Sequence, residues 1–167
     1  MPYGAHETME AHGILSEKMI LLEHLSLYAS QCHNITLRQM IEQQIQHGIQ
    51  SYNELAAYTH DYHAVSPYRP RIAANPQEVR YGLRSPSPEA PQLGGQRFSD
   101  KQIAGAVLIL HKNCAKNHMA AALECADPNL WQLMLNGAVA CAEFAYQLFH
   151  FMNQNGWYQL PTMDSHT

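Results

Sequence analysis

Eleven histidines and fourteen acidic residues in a 167-residue chain raise the question of a metal centre. Di-iron and di-manganese sites in helical bundles take a lone carboxylate from each of two helices and a Glu-x-x-His pair from each of the others. The i, i+3 spacing puts both ligands on one helix face, about 5 Å apart along the axis. No glutamate here is followed three positions later by a histidine. The pairs present are Glu17 with His24, His47 with Glu54, His111 with His118, and Glu143 with His150, all seven apart. Seven residues return to the same face but rise roughly 10 Å, so the two members of such a pair cannot bind one ion. A site would need residues from several helices at one level, which spacing does not reveal. These groups are expected to form polar seams or solvent edges, with His6, His12 and His24 on exposed helix surface.

Other catalytic patterns are absent. There is no Gly-x-Ser-x-Gly elbow, phosphate-binding glycine loop or His-Glu-x-x-His, and Gly94-Gly95 reads as a turn. Cys32, Cys114, Cys125 and Cys141 form no Cys-x-x-Cys pair and lie in or beside apolar helical runs, the setting of small, inert buried thiols. Cys114 and Cys141 could face each other across a helical hairpin, though spacing alone does not establish a bond. The reading is therefore of no catalytic residue, no cofactor-binding residue and no metal ligand.

Four helices must carry these groups. Apolar residues recur at three- and four-residue steps over about 6–32 (Ile14, Leu15, Leu21, Leu22, Leu25, Tyr28) and about 35–62 (Leu37, Ile41, Ile45, Tyr52, Leu55). The pattern returns over about 99–125 (Ile103, Val107, Leu110, Cys114) and about 128–155 (Leu130, Leu133, Cys141, Phe144, Leu148, Phe151). Asn34, Ser99 and Asp127 are expected N-caps, Pro128 a first helical residue, and Gly156 a terminator. Gly13, Gly48, Gly105 and Gly137, one inside each helix, suggest close helix approach. A shift of 93 residues superimposes Cys32 on Cys125, Asn34 on Asp127 and Leu37 on Leu130, which marks two similar hairpins.

Residues 64–98 differ in composition: they hold six of the nine prolines and five of the six arginines (Arg69, Arg71, Arg80, Arg84 and Arg97). Helices of this length run about 40 Å, and a connection this long can return along them, making helices two and three parallel. The expectation is an all-α, ferritin-like four-helix bundle with a long crossover between helices two and three, occupying 1–167 as one domain. Tyr62, Tyr68, Tyr81, Trp157 and Tyr158 read as anchors of crossover and tail, or as contacts for neighbouring molecules.

Charged residues are only 14 % of the chain against 46 % apolar, and the net charge of −4 offers no footprint for nucleic acid. A weakly charged surface repels its own copies poorly. Leu130–Met152 is interrupted by Gln132, Asn136, Glu143, Gln147 and His150, so no membrane span is expected, and the opening residues lack the basic and apolar regions of a signal peptide.

The opening YGAHETMEAHGILSEK, the stretch AYTHDYHA, and the second half HKNCAKNHMAAALECADPNLWQLMLNGAVACAEFAYQLFHFMNQNGWYQLPTM resemble the spore coat protein F (CotF) family of endospore-forming bacteria. ALECADP and FMNQNGWYQLPTM are the most specific segments. The resemblance implies a ferritin-like fold, synthesis in the mother-cell cytoplasm and deposition in the spore coat, and it carries no catalytic residue onto this chain. The expected partners are a second copy, as a homodimer through a flat helix face, and other spore coat proteins. Ferritin-like metal binding or metal-dependent oxidoreduction is the alternative.

Overall fold

The computed structural model describes residues 3–61, 79–83, 90–91 and 93–163. Among the described residues four helices are present: α1 (Ala5–Gln31), α2 (Ile35–Asp61), α3 (Asp100–Glu124) and α4 (Pro128–Gln154). Their ends fall within one or two residues of the expected ones, because the punctuating side chains act as their chemistry suggests. Asn34 Oδ1 accepts from the Leu37 amide at 3.0 Å, and Asp127 Oδ1 accepts from Asn129 and Leu130 at 3.0 and 2.8 Å. Ser99 and Gln102 satisfy each other's amides reciprocally. Gly156, at φ 73°, closes α4 with Gly156 N donating to Asn153 O and Trp157 N to Met152 O, the two bonds of a Schellman stop.

The chain forms an all-α four-helix bundle in which α1 packs on α2 and α3, and α4 on α3 and α2. Two carboxylates set the relative direction of the hairpins. Glu7, at the start of α1, accepts from the amides of Ala126 and Asp127 in the α3–α4 turn, at 2.8 and 3.0 Å. Asp100, at the start of α3, accepts from His33 and Asn34 in the α1–α2 turn, at 2.8 and 2.9 Å. Each hairpin thus clamps the turn of the other, and 7 to 100, 33 to 126 and 34 to 127 all obey the 93-residue shift. These contacts put the start of α3 beside the start of α2. Tyr58, near the end of α2, instead donates to Asp127 Oδ1 at 2.7 Å. Helices α2 and α3 are therefore parallel, as a long crossover requires.

Tyr62, Tyr68, Arg69, Arg71 and Arg84 lie outside the described residues. Val79–Leu83 docks at the end of α4. Asn153 Oδ1 accepts from Arg80 N at 2.7 Å, and its Nδ2 donates to Arg80 O and Tyr158 O at 2.8 and 3.0 Å. Gly82 bridges Leu160, Trp157 packs edge-on against Phe151, and Tyr158 against Phe149. Trp157 and Tyr158 thus anchor the tail, whereas Tyr81 is exposed. Among the described residues, no helix is long and apolar enough to cross a membrane.

Candidate functional site: a polar layer across the bundle

The core divides into two apolar clusters. One gathers Leu21, Leu25, Leu37, Ile41, Ile103, Val107 and Leu148 towards the α1–α2 turn. The other gathers Ala11, Ile14, Leu55, Tyr58, Ala121, Leu130 and Met134 towards the α3–α4 turn. Between them a polar layer crosses the bundle, contributed by Lys18 from α1, Gln44, His47 and Ser51 from α2, His111 and His118 from α3, and Cys141 from α4. Most of these side chains line one interior cavity, with Phe144 and Gly137 in its wall.

Lys18 is 6 % exposed and donates to Ser51 Oγ at 2.9 Å. Burial pulls its ammonium down from 10.5 to about 8, against the pull of Glu17 and Glu54. The amine is therefore still mostly charged at neutral pH. His111 Nε2 lies 2.9 Å from Gln44 Oε1, and since a carbonyl oxygen only accepts, the ring proton is assigned to Nε2. Burial, then the Lys18 charge, pushes His111 down to about 3, so the ring is neutral. Its Nδ1 and Gln44 Nε2 are buried with no partner among the described residues.

The third component is sulfur. Cys114 and Cys141 are joined in a disulfide across the α3–α4 hairpin. His118, one turn after Cys114, donates from Nδ1 to the Cys114 carbonyl at 2.9 Å. That bond leaves the Nε2 lone pair without a partner among the described residues. His118 is 1 % exposed, and burial pushes it down to about 3. Its ring occupies the space a side chain at residue 137 would need: a Cβ on Gly137 would lie 2.1 Å from His118 Cδ2. A Cβ on Gly48 would lie 2.7 Å from Leu22 Cδ2. Of the four interior glycines, these two serve close approach. Gly13 faces open space and Gly105 has only ordinary contact with Met152, so the expectation of four close approaches is corrected to two.

The histidines are less segregated than their spacing suggested. His47 and His111 come to one level from different helices, their rings 5.2 and 5.3 Å from that of Phe144. Among the described residues, no carboxylate lines the cavity they share. Glu17 accepts from Asn117, Glu54 from Gln50, and His24 is exposed. Glu143 is half-buried, with burial raising its carboxyl. Gln44-x-x-His47 has the ligand spacing with an amide in the carboxylate's place, a pattern a search for glutamate alone misses. Lys18, four residues after Ile14 and three before Leu21, stands on the apolar face of α1, a periodic signal that a search for carboxylates and histidines passes over. Cys32 and Cys125 are free, and burial raises both thiols to about 11, which makes them unreactive at neutral pH.

Residues 99–161 match the model of the Coat F domain. The chain is similar to the spore coat protein F-like protein YhcQ of Bacillus subtilis strain 168, at 22 % identity over 163 residues, covering 97 % of this chain and 75 % of that protein. Its fold is that of a solved structure from Bacillus halodurans C-125, described as a candidate spore coat protein. The TM-score is 0.71 at 16 % identity, with 99 % of this chain and 97 % of the other covered. The Coat F match on the second hairpin and tail, with a relative aligned along almost the whole chain, makes this chain similar to proteins of the spore coat protein F family.

Proposed function

We propose that the chain is a non-catalytic building block of the spore coat, a single bundle domain that acts by packing against itself and against other coat proteins. The observation that carries this reading is the distribution of apolar and charged side chains. The one ammonium in the core stands in the polar layer, where a metal enzyme of this architecture would gather carboxylates. The outer faces of the neighbouring helices α1 and α3 instead display Met19, Ile20, Leu27, Ile109 and Leu123, each at least half exposed. Ile20 and Leu27 are seven residues apart on one line of α1, and Ile109 and Leu123 stand on one line of α3 with exposed Lys116 midway between them. Exposed apolar side chains on a surface with few charges favour association.

Light scattering across a concentration series tests the reading. A homodimer that dissociates on the double change Ile109→Glu and Leu123→Glu, with helical circular dichroism unchanged, is the expected result. A monodisperse monomer at high concentration that also retains no purified coat protein would remove the proposal.

A further inference from the structure

The sulfur pair in the polar layer has a chemistry that a structural role does not require. Cys114 Sγ, Cys141 Sγ and a ring nitrogen of His118 all lie within 4.8 Å of one another, and all three residues are buried. From these observations we infer that, with the disulfide reduced, Cys114, Cys141 and His118 form a three-coordinate site for one soft monovalent metal ion, of which Cu(I) is the fitting example.

Ligand type, tautomer and charge support this assignment. Two thiolates and an imidazole are soft to intermediate donors, which select Cu(I) or Zn(II) over hard cations. Structural Zn(II) takes four ligands, and no fourth His, Cys, Asp or Glu joins the group among the described residues. Cu(I) is satisfied by three. His118 Nδ1 lies 3.5 Å from Cys114 Sγ and donates to the Cys114 carbonyl, which holds the ring against the sulfurs and leaves Nε2 as a buried lone-pair nitrogen. Two thiolates with Cu(I) carry a net charge of −1, and the Lys18 ammonium that lines the same cavity balances it. Zn(II) in the same place would leave that ammonium uncompensated in a low-dielectric interior. Half-buried Leu22, His47, Gly48 and Ser51 stand where the cavity approaches the surface, which gives an ion a route inward.

The two states exchange with balanced chemistry. A phosphine reductant supplies two electrons and water two protons; the S–S bond breaks and two thiols form, while the phosphine takes up the water oxygen and is oxidised to its oxide. Binding of Cu(I) then makes two Cu–S bonds and one Cu–N bond and releases both thiol protons. A peroxide, itself reduced to water as it takes up two protons and the two thiolate electrons, restores the S–S bond and frees the ion.

The test uses the full chain with Cys32→Ser and Cys125→Ser, so that only the paired sulfurs remain. The phosphine-reduced, desalted protein is titrated anaerobically with Cu(I) against a chromophoric Cu(I) chelator, beside its disulfide form. One Cu(I) per reduced chain, at least tenfold weaker uptake by the disulfide form, and at least a tenfold loss on His118→Ala are expected. X-ray absorption should show two sulfur neighbours and one nitrogen. Failure of the reduced protein, with intact helical circular dichroism, to take Cu(I) from the chelator would overturn the site. Unchanged affinity in His118→Ala, or in a folded Cys141→Ser, would do the same. Stoichiometric Zn(II) held more tightly than Cu(I) would overturn the choice of metal.

Discussion

Replacing Lys18 with methionine should make the protein more stable, which is unusual for the removal of a buried, hydrogen-bonded side chain. The ammonium has left water for a site between two apolar clusters, where it donates a hydrogen bond to Ser51. The drop from 10.5 to about 8 corresponds to about 3 kcal/mol against the charged form, at about 1.4 kcal/mol per pKa unit. Methionine has similar length and no charge, and half-buried Ser51 can turn to solvent. A gain of about 1–3 kcal/mol at pH 7 is expected. The sign of the pH dependence follows from the same numbers. Between about pH 8 and 10.5 the unfolded chain holds the proton that the folded chain has released, so stability of the parent protein rises with pH across that window. Below about pH 8 that contribution is lost. The methionine variant lacks this term, so its advantage should narrow towards zero near pH 10.5. Guanidinium unfolding followed by circular dichroism at pH 7, 9 and 10.5 measures the difference. Both arms should carry Cys32→Ser and Cys125→Ser to prevent alkaline thiol exchange. A variant less stable than its parent at pH 7, or a difference that does not change with pH, would refute the reasoning.

The glycines give a paired prediction. Gly137→Ala must displace the His118 ring and should cost about 1–3 kcal/mol, while Gly13→Ala, facing open space, should add up to about 1 kcal/mol of helix stability; thermal melts of the two variants should move in opposite directions. The reciprocal clamps should govern the acid limb. Burial raises the carboxyls of Glu7 and Asp100, but hydrogen bonds chiefly from the opposing turns outweigh it and leave both below their ordinary 4.5 and 3.8. Their contribution is complete above those values and is lost as pH falls through the lower folded ones. Glu7→Gln with Asp100→Asn should therefore lower stability at pH 7 and flatten its fall below about pH 4, read by unfolding midpoints at pH 7, 4 and 3.

Local sequence determined the helices. Period, cap residues, Pro128 and Gly156 act over one or two turns, so Asn34, Ser99 and Asp127 could be identified as caps from neighbouring residues alone. The 93-residue repeat was also legible, through Cys32 and Cys125, because two similar hairpins keep their turn chemistry. Resemblance along the chain supplied the likeness to the spore coat protein F family, which no local rule contains. Tertiary structure decided which side chains meet. The clamp of Glu7 on Ala126 and Asp127 spans some 120 residues, and nothing near Glu7 announces it. The meeting of His47 with His111, the disulfide beside His118, and the contact of Lys18 with Ser51 depend on the rotation and height of four helices relative to one another. Periodicity assigns a residue to a face of its own helix, but only packing sets which levels of different helices coincide, and the chemistry of the polar layer resides in that coincidence.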